Sequence, residues 1–167
     1  GNIGIGTYTD ATASTKALAS TWGLAAVGVA YAKSHVISAQ SVTIGIDNEL
    51  LAFGNVDLVT GSDPTGSFQT NLQPIAVAQG FIKGVIAIPD ATADAIVTSN
   101  AALTVGDRTR VRSGANSTLA ARRGTLLPTA DGTAKGYQLG LIPVTVTDSN
   151  EDVRDGVGSV TVNGTVE

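Results

Sequence analysis

The chain is 167 residues long, a length that suits one domain and can bury a sizeable core. Apolar residues make up 43% of it but aromatics only 4%, so the core material is Ala, Val, Leu and Ile, which suit a narrow layered interior better than an aromatic-walled ligand pocket. With 14% charged residues, a net charge of −4 and no cysteine, the composition argues against a nucleic-acid partner and excludes disulfides and thiolate metal sites.

The chain starts at Gly1 and contains no Met, which reads as a processed product or a part of something longer. Residues 11–34 come first. Their alanines favour helix, while Thr12, Thr15, Thr21, Gly23 and Gly28 oppose a long one. Residues 24–30 align, 61 positions on, with 85–91, which hold Pro89 and read as extended, so the region is expected to be mostly strand. Its apolar run from Trp22 to Ala32 is 11 residues with two glycines, too short to span a bilayer, and no membrane insertion is expected.

Further strands are expected at 42–46, 56–60, 81–88, 102–105, 110–112, 139–147 and 157–166, where residues alternate or run β-branched. Asn55 and Asn116 precede equivalent strands as turn residues, and an asparagine ladder is a natural refinement. Polar stretches at 61–74, 122–138 and 148–158 interrupt the pattern, the first two at one phase of the repeat, as loop insertions at one corner would.

The repeat organises all of this. Ser41-Val42-Thr43-Ile44-Gly45 returns as Ala102-Leu103-Thr104-Val105-Gly106 and as Ser159-Val160-Thr161-Val162-Asn163. The flanks keep register: Ala30 faces Ala91, Val36 faces Val97, Ser38 faces Ser99 and Leu58 faces Leu119. A chain that repeats itself is built by stacking similar units, giving an all-β fold of parallel stacked coils. One domain, 1–167, then divides into units of approximately 1–61, 62–122 and 123–167. Since a β-helix coil takes roughly 20 residues, each unit is expected to cover two or three coils. Val42/Ile44, Leu103/Val105 and Val160/Val162 should point inward, with the threonine between each pair outward.

Chemistry is sparse. The single histidine, His35, has Ile96 as its repeat counterpart and reads as a surface or half-buried strand site. No G-x-S-x-G elbow occurs, and carboxylates are scattered, so no catalytic residue is assigned and the chain is expected not to be an enzyme. No cofactor-binding motif is found. Asp148, Asn150, Asp152 and Asp155 place oxygen ligands at nearly alternate positions, like the opening of a calcium loop. Val153 stands where that loop needs glycine, and the alternative reading is an acidic solvated turn. Arg108, Arg110 and Arg112 read as a solvated strand edge, with an anionic glycan or lipid surface as the functional alternative. The closing segment around Val160, Val162 and Val166 reads as an open strand through which copies join end to end.

The blocks SVTIG…LLAFGNVDLVTG and ALTVGDRTRVRSGANSTLAARRGT resemble repeats of very large bacterial filamentous adhesins, the filamentous-haemagglutinin-like and leukotoxin-annotated surface proteins, over roughly residues 24–127. That resemblance implies a right-handed parallel β-solenoid (β-helix), exported to the cell surface, extracellular and non-enzymatic. An adhesive or structural fibre segment, with host or matrix glycans among its partners, is the first functional expectation. A self-assembling filament subunit is the second, and a polysaccharide-active β-helix enzyme the third.

Overall fold

The computed structural model describes residues 1–138, 142–154 and 156–167. All regular structure among the described residues is β: β1 (Ile3–Thr7), β2 (Asp10–Ile44), β3 (Glu49–Ala52), β4 (Val56–Thr60), β5 (Asn71–Val105), β6 (Arg110–Ser113), β7 (Ser117–Ala121), β8 (Thr125–Leu126), β9 (Thr129–Gln138), β10 (Ile142–Arg154), β11 (Gly158–Val162) and β12 (Thr165–Val166).

These strands make three open sheets. One is ordered β1-β4-β7 and another β12-β6-β3, while the largest lays β2 against one edge of β5 and β8 to β11 against the other. Among the described residues every pairing between these strands is parallel except that of β9 with β10. The molecule is therefore layered, β1 to β3 lying against β4 to β6, and those against β7 to β12. The repeat offset is the layer offset: Ala30 pairs Ala91, Leu50 pairs Val111 and Leu58 pairs Leu119. One unit thus supplies one layer, not two or three coils. Its length is taken up by the 35-residue strands β2 and β5.

Neither long strand is straight. In residues 11–21 the odd positions of β2 turn inward; from Ala26 onward the even positions do. The parity changes across Trp22-Gly23-Leu24-Ala25, four consecutive exposed residues. The chain bends there and returns, so that residues 10–22 face 26–38 through side chains. Ala17 and Ala19 pack against the cluster that holds Ala30 and Ala32, and the Ser34 hydroxyl donates to the Ala13 carbonyl at 3.0 Å. β5 repeats the bend at 83–86, with Gly84 directly on Gly23. A Cβ on Gly84 would overlap the Gly23 carbonyl oxygen, so only glycine allows the two bends to stack.

The middle of this arm has an interior of Ala, where two sheets face each other across a thin gap, while Ile82 fills its outer end with Ala26 and Ala87, and Leu72 fills its inner end with Val36 and Val97. At its base the return segments meet the other two sheets around a wider space. Larger side chains fill it: Val42, Val56, Leu58, Leu103, Val105 and Val111 are all buried together. Between arm and body lies a polar seam in which the Gln40 amide donates to the Thr9 and Thr70 hydroxyls at 3.0 and 2.7 Å.

The third layer departs from the first two. β9 pairs with the outgoing part of β5, and β10 then folds antiparallel along the far edge of β9 before crossing to pair residues 148–154 with 92–98. Two of the expected polar interruptions are consequently strands over most of their length. Their composition misleads because the inward positions of β9 are Ala130, Gly132, Ala134 and Gly136, leaving polar side chains to dominate the sequence. The loop that does exist between layers spans 61–70, where Gly61 and Gly66 take positive φ. Val160 and Val162 lie in the expected register on Leu103 and Val105 but are 44% and 42% exposed, since among the described residues no further layer covers them.

Candidate interaction surface

Asp148, Asn150 and Asp152 lie on β10, an extended strand rather than the tight turn a calcium loop requires. Their register partners are Thr92, Asp94 and Ile96, and Asp152 is paired with Arg154 at 2.9 Å. Asp155 lies outside the described residues. Among the described residues no three His, Asp or Glu side chains gather. His35 is exposed on the outer face of β2.

The arginine segment is divided. Arg108 occupies a turn at φ 56°, stacked on Asp47 at φ 57°, and the two form a bidentate ion pair at 2.5 and 2.7 Å. The guanidinium holds the Asp47 carboxyl below the usual carboxylate range. Arg112 pairs with Glu167 at 3.1 Å. These cations tie layers together, which leaves them poorly placed to recognise an external anion.

The remaining concentration of chemistry is the outer end of the arm. Trp22 is 70% exposed and Leu24 82% exposed, and Val27 and Val29 stand out from the returning segment. One layer on, Val85, Ile86 and Ile88 are exposed at the same level. The Lys83 ammonium sits 5.6 Å from the Trp22 ring centre, and the Phe81 and Tyr137 rings meet at 5.6 Å on the opposing layer pair. A shallow hollow of about 280 Å³ beside them is lined by Gln79, Phe81, Thr133 and Lys135. Farther down, the Tyr31 hydroxyl donates to Asp94 at 2.7 Å, and that bond to a carboxylate raises the phenol above its ordinary value.

No family model, curated protein or solved structure matches the chain.

The run from Trp22 to Ala32 is legible in the sequence as apolar, but length excluded it as a membrane span and nothing else marked it. The signal that finds the arm tip is the change of parity. Between two alternating stretches, four exposed positions in a row mark a bend, and its apolar residues therefore face solvent.

Proposed function

We propose that the chain is a segment of an extracellular, non-enzymatic adhesive or structural fibre, a right-handed β-solenoid whose successive turns are the three layers. The observation that carries this reading is the parallel register held from Asp10↔Asn71 to Ile44↔Val105 and continued in both smaller sheets. Backbone hydrogen bonds then run along the stacking direction, and each added layer extends the shaft by about 4.8 Å. The layers also carry an asparagine ladder: the Asn2 side-chain oxygen accepts from the Asn55 amide at 3.0 Å, and that of Asn55 from the Asn116 amide at 3.3 Å. A ladder of this kind rewards adding identical layers, which is what a fibre needs and a single active site does not.

An electron-microscopic reconstruction of filaments that carry this chain tests the shaft, and a glycan array with cell-adhesion assays tests the adhesive role. Left-handed or non-stacked layers would sink the solenoid. Turnover of a polysaccharide by the purified chain would sink the non-enzymatic reading.

A second reading, a filament subunit joined by terminal-strand addition, is favoured by β11 and β12. Each is hydrogen-bonded along one edge only among the described residues, and Val160, Val162 and Val166 are exposed on them. Light scattering decides this one: a strict monomer at high concentration excludes it.

A further inference from the structure

We infer that the end of the arm is a lipid-contacting tip that seats in the headgroup region of an anionic bilayer. Three observations carry the inference, and none depends on the adhesive reading above.

The first is the distribution of apolar surface. Leu18 and Trp22 are exposed on one outer face of the arm, Val27, Val29 and Ile88 on the other, and Leu24 at the bend. A folded partner covers one face of a thin blade. A fluid apolar medium covers both faces and the end together.

The second is charge. Residues 17–30, 78–91, 132–138 and 142–147, the segments that run through the end of the arm, contain Lys83 and Lys135 against the single acidic residue Asp90, in a chain whose net charge is −4. Such a local excess of cations complements anionic headgroups, and the long lysine stems reach them while apolar neighbours are covered.

The third is the order of side chains along the arm. Trp22 opens the bend beside Leu24, with Val85 and Ile86 one layer on, and the Phe81 and Tyr137 rings stand at or just behind that level. Indole and phenol rings favour the boundary between headgroups and acyl chains. From Leu18 to Trp22 is four residues, about 13 Å of extended strand, so a tip seated to the roughly 5–10 Å depth of an interfacial element immerses Trp22 and Leu24 and leaves Leu18 at its outer margin. Depth is limited from below as well. The far edge of β2 has no strand beside it among the described residues, and its amides need water. The contact therefore does not span the bilayer.

Trp22 is the one tryptophan in the chain, so its fluorescence reports the tip directly. The intact chain is titrated with vesicles of phosphatidylcholine and phosphatidylglycerol at about 7:3, and with phosphatidylcholine alone. Expected are a blue shift of Trp22 emission and quenching by lipids brominated near the headgroup, with at least about ten-fold weaker binding to the neutral vesicles. Leu24→Asp and Val27→Asp, both at solvent-exposed positions, should weaken binding by at least about ten-fold while circular dichroism stays unchanged. Lys83→Gln should narrow the difference between the two vesicle types. Emission unmoved by lipid overturns the inference. So does a blue shift that grows with protein concentration in the absence of lipid, which would assign the tip to a second copy, and so does undiminished binding by the two aspartate variants.

Discussion

At the scale of single residues, stacking turns ordinary polar side chains into ties between layers. Asp47 and Arg108 both hold left-handed backbone conformations, uncommon for residues with a Cβ, and their ion pair lies across the two stacked turns. Because the guanidinium lowers the Asp47 pKa from its ordinary 3.8, the folded chain binds that proton less readily than the unfolded chain does. The associated stability is present above 3.8 and is lost as pH falls through the folded-state value. Asp63 behaves alike, its carboxylate held low by the Thr65 hydroxyl and the Phe68 amide. Arg108→Gln should therefore return the Asp47 pKa toward 3.8, as read by carboxyl-detected NMR titration, and leave Asp63 unmoved. The polar seam makes a different prediction. The Thr60 hydroxyl is fully buried and has no hydrogen-bond partner among the described residues. Thr60→Val removes an unpaired polar group at nearly constant shape and should stabilise the chain by about 1 kcal/mol in urea denaturation. A loss of stability would mean that an internal water bonds that hydroxyl.

At the scale of elements, the long strands pack closely because the inner positions in the middle of the arm are small. Ala93 is completely buried among Ala30, Ala32, Ala76, Ala78 and Ala91. Ala93→Leu has to push two sheets apart and should cost about 1–3 kcal/mol, whereas Ala25→Leu at the exposed bend should stay within about 0.5 kcal/mol. Paired urea curves on the two variants check the difference, and equal effects would mean that the outgoing and returning halves of the arm strands do not face each other. The extended course of β10 also bears on metal: with Asp148, Asn150 and Asp152 spread along a strand, chelation by EDTA should leave the melting temperature unchanged.

At the scale of the whole molecule, the body core joins three sheets through a handful of aliphatic side chains. Val105 is fully buried at their meeting point, and Val105→Asp places an unpaired charge there, which should cost several kcal/mol and unfold the body in a thermal melt. Deleting 157–167 uncovers the layer below, because β11 rests on residues 101–105 and β12 on Arg110 and Val111. The shortened chain should melt earlier, and any end-to-end polymers should vanish with it. Survival of polymers would place the joining surface elsewhere.

The strand content and the layer register were decided by local sequence. Val56–Thr60 is rich in β-branched residues, as a buried strand is, and the 61-residue offset by itself names the partners of Ala30, Val36 and Leu58. A repeat reveals register because stacked layers impose the same inward or outward choice on equivalent positions. The course of each layer was not legible in this way. Two strands that face each other through side chains share no hydrogen-bond register, so nothing in the spacing of Ala17 and Ala32 announces that they meet. For the same reason the Asp148 segment looks like a solvated turn in sequence, and only its pairing with residues 92–98 makes it a strand. The exposed tip follows from the bend at Gly23, and burial at a bend depends on what lies across from it, which tertiary packing alone sets.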